Sequence, residues 1–330
     1  MLGLLTVSSA GLLLPQDGVL NFRRVSPSLP GLYRSAALEQ ASERDAARIL
    51  DSAKVRTLID LRSEDEIERA ACAATSAGAR LIEAYDRGAP VGAGCLASEG
   101  CGHLRRIHVP LLGDVEVPAP PIHAPPAAPL ALCAAYASAA TPPQAFFEEI
   151  ERRMPAQRKA KAMVLRGFSG KAYDQMLYDE VTNGGHDLLY TAMLKSAPEA
   201  FGQALAVAAD RSKGGVLIHC AKGKDRTGVL AALLQHAAGD NEQEIVDAYT
   251  RSEHLLSVRS LEQAAGASAD GVSSGVDWSK LSGSPRKAVL ETFQWLRNEY
   301  GAIDRYLQLV GCGEEWRRVL LDSQRLNAHL

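Results

Sequence analysis

The sequence predicts an α/β fold, a central parallel sheet flanked by helices, and three observations carry that expectation. Val216, Leu217, Ile218 and His219 read as the end of a buried strand, which runs through a glycine-punctuated loop into an amphipathic helix. The run KVRTLIDL, residues 54–61, is rich in β-branched residues and lies between helical patterns, which suits a buried parallel strand. Apolar residues at i, i+3, i+4 and i+7 mark helices on both sides of the loop: Phe201, Ala204, Leu205 and Ala208 before it, Leu230, Leu233, Leu234 and Ala237 after it. With 330 residues and 46% hydrophobic content the chain can bury a large core, expected as one elaborated domain spanning residues 1–330.

Taken in order, the opening MLGLLTVSSAGLLLP reads as a buried strand or hairpin. No Lys or Arg precedes Arg23, so the basic flank of a secretory signal is missing. Residues 21–38 hold Pro27, Pro30 and Gly31 and read as a turn-rich connection. Ser42 with Asp45 three residues on caps a helix to about Leu50, with Ala46, Ile49 and Leu50 inward. The strand 54–61 then delivers Asp60 and Arg62 at its C-terminal end, where open α/β sheets bind ligands. Residues 63–71 form a charged, solvated helix.

Residues 72–104 are rich in Ala, Gly and Ser and read as an insertion or long surface loop. Within them GAGCLA, residues 92–97, mimics a dinucleotide fingerprint but follows no strand, and Cys95, Cys101 and His103 match no zinc spacing. RIHVPLL, residues 106–112, is a second strand with Asp114 just past its end. The Pro-Ala run 118–143 is an extended connector.

A helical, lid-like segment over 146–195 follows. It carries Arg152, Arg153, Arg158, Lys159, Lys161, Arg166 and Lys171, which form either a solvated face or a basic rim beside a polyanion site, open to peripheral membrane contact. After the central loop the helix stops at Gly239, Asn241 with Glu244 caps the next, residues 264–284 form a loop, and helices at about 285–309 and 313–326 close the chain.

The formal charge of −3 gives no global attraction to nucleic acid or anionic surfaces. Cysteines at 72, 95, 101, 133, 220 and 312 are too scattered for a disulfide framework, which points to a reducing, cytoplasmic compartment. No 18-residue apolar run suggests a transmembrane helix.

The chemistry centres on VLIHCAKGKDRTG, residues 216–228. Cys220 and Arg226 stand six positions apart around Gly223, and Cys220 precedes a helix N-terminus whose amide dipoles favour a thiolate. Arg226 offers a planar fork for two phosphate oxygens, and the Thr227 hydroxyl can hydrogen-bond the sulfur as it leaves. A cysteine packed as a small hydrophobe would explain neither the glycines nor the cations.

HCAKGKDRTG, residues 219–228, resembles the HCxxGxxRTG loop of tyrosine and dual-specificity phosphatases. More narrowly it resembles the GKDRTG variant of the tyrosine/serine phosphatase family that includes the mycobacterial phosphatase B type and related lipid phosphatases. NFR at 21–23, GLYRSAAL at 31–38, TLIDLRSEDE at 57–66 and EYGAIDRYL at 299–307 resemble that family in the same order. The resemblance implies a cysteine-phosphatase-like parallel sheet flanked by helices, with 72–105 and 113–145 as insertions. It further implies a phosphocysteine intermediate at Cys220, support of the thiolate by His219, and phosphate binding by Arg226 and the amides from Ala221 onward, with no metal or organic cofactor. Arg24 stands where the family usually has Asp.

No Trp-Pro-Asp tripeptide is present to supply a general acid. Asp60, Asp225 and Asp114 compete, with Asp60 and Asp225 ranked first; each could instead be an ion-pair partner. Lys222 and Lys224 add cations suited to a polyphosphorylated headgroup and resemble the two-lysine loop of phosphoinositide 3-phosphatases. The expected activity is a phosphomonoesterase on phosphotyrosine proteins, phosphoinositides or both. The site comprises Cys220, Arg226, Asp60 and Asp225, with His219, Ala221, Lys222, Gly223, Lys224, Thr227, Gly228 and Arg62 binding substrate. Two alternatives are an inactive module that sequesters a phosphorylated partner and another thiol enzyme of the rhodanese or arsenate reductase kind, which shares the Cys-to-Arg spacing.

Overall fold

A computed structural model of the protein describes residues 18–88, 103–112, 143–263 and 281–327. The expected N-terminal strand, the 92–97 motif, Cys95, Cys101, Cys133, Asp114, nearly all of the Pro-Ala connector and most of 264–284 lie outside them.

Five strands form one sheet: β1 (Arg23–Arg24), β2 (Leu32–Ser35), β3 (Val55–Asp60), β4 (Arg105–His108) and β5 (Gly215–His219), in the order β1-β2-β5-β3-β4. β1 is antiparallel to β2, and every other pairing is parallel. β5 lies in the middle with all its residues buried, which is why its sequence is a continuous apolar run rather than an alternating one. Its two faces still differ. Val216 and Ile218 join the larger core with the helices, while Leu217 meets Leu58, Leu81 and Tyr85 in a smaller core on the other side. The register sets Ser35 and Asp60 on either side of His219, so three strand ends open together where residue 220 leaves the sheet.

The helices are α1 (Glu43–Ala47, continuing into a π-helical turn at Arg48–Ser52), α2 (Glu64–Cys72), α3 (Ser76–Asp86), α4 (Pro143–Arg153), α5 (Ala156–Phe168), α6 (Gly170–Ser196), α7 (Pro198–Ala209), α8 (Arg226–Ala238), α9 (Glu242–Gln263), α10 (Arg286–Tyr300), α11 (Ile303–Leu309) and α12 (Glu314–Asn327). The expected caps form: Ser42 and Asp45 bond reciprocally, as do Asn241 and Glu244. α6 is broken at Gly185, whose φ of 66° and ψ of −161° are not helical. Among the described residues no helix is long and apolar enough to cross a membrane.

The architecture is the expected α/β one, and four local readings are corrected. The turn-rich connection 21–38 contains β1 and β2; the second is only four residues long and its Arg34 is buried, so no apolar pattern announces it. The surface loop expected over 72–104 includes α3, whose Ala77, Leu81 and Tyr85 are buried. Its small residues serve close approach: a Cβ on Gly78 would lie 2.1 Å from the Glu39 carbonyl oxygen. The helix expected over 285–309 is two, α10 and α11, divided at Gly301. RIHVPLL is a strand only to His108, although Val109 and Leu111 still donate to the carbonyls of Asp60 and Leu61.

Candidate active site

Cys220, buried at 2% exposure, is the first residue off β5, and α8 begins six residues later at Arg226. The loop between them is held from its outer side. Asn21 Nδ2 donates to the carbonyls of Gly223 at 2.8 Å and Lys222 at 3.2 Å. Arg34 Nη2 donates to Gly223 at 2.7 Å and Lys224 at 3.5 Å, and the Ala37 amide donates to Ala221 at 3.0 Å. Every carbonyl from Ala221 to Lys224 therefore has a donor outside the loop. A trans peptide points its N–H opposite its C=O, so the amides of the same peptides are left for the concave side, next to the N-terminus of α8. The product is an anion cradle with a thiol beneath it.

Gly223 makes the turn, with φ at 63°. A Cβ there would sit 2.0 Å from the Ser35 carbonyl oxygen, so the loop packs directly on the end of β2. Asn21 is itself fixed by Arg23, which donates to its backbone and side-chain oxygens and to Ala248 and Ser252 of α9.

Arg226 Nη1 and Nη2 donate to the two oxygens of Glu66 at 2.5 and 2.6 Å. Burial opposes both charges, yet the pairing wins: Glu66 is drawn down to about 2, and Arg226 is raised above its usual value. Two of the five guanidinium N–H groups are thereby engaged by Glu66, and one Nη1 bond reaches the Leu61 carbonyl at 3.3 Å. The Nε edge of the fork stays open to a ligand.

Asp60, Arg62 and His219 lie beneath this loop rather than in it. Asp60 is fully buried and accepts from Arg62 Nε at 2.9 Å, Arg62 Nη2 at 2.8 Å and Arg106 Nη2 at 2.7 Å. Burial opposes its charge, but the facing His219, Arg62 and Arg106 hold the carboxylate far below its usual range. Burial pushes His219 itself down to about 4, so at neutral pH the arginines carry the effect. Arg62 is equally committed, pairing with Glu39 at 2.8 Å as well as with Asp60. Both Asp60 oxygens are thus taken, while Arg62 commits Nε and Nη2 to the two carboxylates and has only Nη1 outside these pairs. His219 Nε2 lies 3.6 Å from Asp60, and neither ring nitrogen has a hydrogen bond.

Asp225 is the remaining described candidate acid. Its Oδ1 accepts from Tyr190 of α6 at 2.6 Å, and Tyr190 meets the Tyr249 hydroxyl at 2.7 Å. His186 Nε2, one residue past the kink in α6, is 4.0 Å away and without a hydrogen bond. The carboxylate remains partly exposed, at 18%.

The two lysines differ. Lys222 is exposed, whereas Lys224 is 3% exposed and donates to the carbonyls of Leu281, of Ser282 at 2.9 Å and of Gly283 at 2.8 Å. Burial draws its pKa down, with Asp225 at 3.5 Å partly offsetting. Lys224 is thus a tie to the segment before α10, not a free cation at the rim. The buried Thr227 hydroxyl makes no hydrogen bond, so the bond expected to the sulfur is not formed here. Cys72 and Cys312 are also free thiols, remote in sequence from the loop. Among the described residues no cluster of His, Cys, Asp or Glu is arranged to hold a metal ion.

A mostly parallel sheet whose central strand ends in a Cys-to-Arg cradle over a helix N-terminus defines an anion-binding α/β protein. The profile of the tyrosine phosphatase family matches residues 23–323, and the chain belongs to that family. It is also 33% identical over 138 residues to a tyrosine-protein phosphatase of Nostoc commune. That match covers 38% of this chain and 44% of the relative, so the chain spans less than half the relative's length.

No local pattern marks Asn21, Arg34, Tyr190 or Tyr249 as partners of this loop. For Glu66 a signal existed. Ser63 with Glu66 is a capping box, and the structure forms it, turning the Glu66 carboxylate back over the helix start toward Arg226.

Proposed function

We propose that the chain is a cysteine-dependent phosphomonoesterase acting on phosphotyrosine proteins, phosphoinositides or both. The observation that carries this reading is the tying back of four successive loop carbonyls, with Cys220 at the base and Arg226 braced by Glu66. A structural turn needs no such outward pull. The thiolate of Cys220 attacks phosphorus and the P–O bond to the leaving group breaks; Asp225 gives that oxygen its proton. Water then attacks the phosphocysteine, the S–P bond breaks, and Asp225 takes the water's proton, returning the thiolate and releasing phosphate. Arg226 and the loop amides hold the equatorial oxygens throughout.

Asp60, ranked beside Asp225 on sequence, has both oxygens bound by arginines and holds no proton at neutral pH, so its role here is to fix Arg62, Arg106 and the strand ends. With Lys224 tied to carbonyls, Lys222 is the loop cation left to meet a second phosphate, and the phosphoinositide case rests on it. The domain is one elaborated unit, and its free thiols suit a reducing, cytoplasmic setting.

A panel of p-nitrophenyl phosphate, phosphotyrosine peptides and phosphoinositides, run with wild type and Cys220→Ser, tests the reading. Release of phosphate that depends on Cys220 is expected. Stable binding of phosphopeptide by wild type without release would replace the enzyme by a sequestering module.

A further inference from the structure

Helix α5 faces outward with the wrong polarity for a solvated helix. Met163, Val164 and Phe168 are 75%, 58% and 88% exposed. At about 100° per residue, Arg158, Ala162 and Leu165 share one side. That side is the attached one: Ala162 is buried, Leu165 packs on the core and Arg158 pairs with Glu180 of α6. The opposite side consists of Ala156, Ala160, Met163, Val164 and Gly167. Lys159 and Arg166 border it along one edge, and Lys161, with Phe168 beside it, along the other.

The helix has no acidic residue, and among the described residues Lys159 and Lys161 make no ion pair. Arg166 lies over the Tyr173 ring at 5.3 Å. An apolar strip with cations on both edges is the pattern of a helix lying in a membrane interface, where the strip enters the acyl boundary and the lysine stems reach back to the headgroups. We propose that this face of α5 docks the protein on an anionic phospholipid bilayer.

Two features select the bilayer over a second copy of the chain. A twofold contact through this strip would set Lys159, Lys161 and Arg166 against their own counterparts with no acid to separate them. Cations on both edges also suit a flat, uniformly charged surface better than a groove charged on one side. The formal charge of the whole chain is −3, so attraction to such a surface must come from a local patch of this kind. This docking does not depend on the chemistry at Cys220.

The test is co-sedimentation of the full chain with vesicles of phosphatidylcholine alone and of phosphatidylcholine with phosphatidylserine. Wild type is expected to bind the mixed vesicles, to be released by salt, and to bind pure phosphatidylcholine weakly. Lys159→Gln and Lys161→Gln should each lower the apparent affinity about fivefold, and Val164→Ser with Phe168→Ser should lower it about tenfold or more. All these positions are exposed, so circular dichroism and p-nitrophenyl phosphate turnover should not change. Equal binding to both vesicle types, or binding indifferent to all four substitutions, overturns the proposal. So does a wild-type dimer in solution that Phe168→Ser dissociates without any vesicle binding. Vesicle binding by a protein that hydrolyses no substrate would leave the docking standing and count against the phosphatase reading alone.

Discussion

The carboxylate of Glu66 spans both Nη groups of Arg226, at 2.5 and 2.6 Å, across 160 positions of sequence. The pairing fixes the plane of the guanidinium before any ligand arrives and leaves Nε outside it.

Glu66→Gln keeps the shape but removes the charge and one acceptor. Steady-state kinetics should show kcat/KM lower by about tenfold to a hundredfold, the loss of one to two charge-assisted hydrogen bonds in the transition state. An unchanged kcat/KM would mean that the loop orients Arg226 unaided.

Asp225→Asn and Asp60→Asn separate the proposed acid from the anchor. The first should lower kcat about a hundredfold or more for phosphotyrosine, and much less for an ester with a good leaving group, because the lost proton donor matters only when the leaving oxygen is basic. The second should act through stability. It leaves Arg62 and Arg106 facing a neutral amide in a buried site, a change costing roughly 3–5 kcal/mol when such a pair is broken. Leaving-group dependence confined to Asp60→Asn would reverse the two assignments.

Gly223→Ala combines a positive φ with a clash at 2.0 Å on the Ser35 carbonyl. We expect a fall in stability of more than about 3 kcal/mol, read by urea unfolding, together with loss of turnover.

Acid should destabilise the fold in two stages. Burial lowers His219 to about 4, whereas an unfolded chain takes that proton near 6.5. Stability present above that pH is therefore lost as pH falls from about 6.5 toward 4. Burial likewise lowers His186 and His236, which steepen the same stage. Glu66, lowered to about 2, adds a second loss from about 4.5 downward. Urea unfolding at a series of pH values should show a shallower upper stage in His219→Gln.

The fold was legible where apolar or β-branched residues recur in a regular pattern and obscure where they do not. β3 with its β-branched residues, β5 with its continuous apolar run, and α7 and α8 with apolar residues at i, i+3, i+4 and i+7 stood out in the sequence. β2 holds the buried Arg34, whose value lies in three-dimensional contact with Gly223 and Lys224 nearly two hundred positions away, which no local pattern can express. α3 was hidden because Ala and Gly, chosen for close approach to Glu39, resemble loop composition. Within the site, Cys220, Arg226 and Asp225 were readable because they share one loop. Glu66 and Tyr190 reach it from other elements, as do Arg106, the second arginine on Asp60, and the three carbonyls that hold Lys224.

Lys224 has the coordination of a captive ion. Its ammonium sits among three carbonyl oxygens, from Leu281, Ser282 and Gly283, as a potassium ion would, except that this cation is tethered by its own side chain and cannot exchange with the medium. A guanidinium is flat and too wide for three oxygens converging on one point, so arginine is no substitute despite its equal charge. Charge counting along the loop therefore overstates the cations free to meet a ligand, and under the proposed function the position to vary in altering substrate preference is 222.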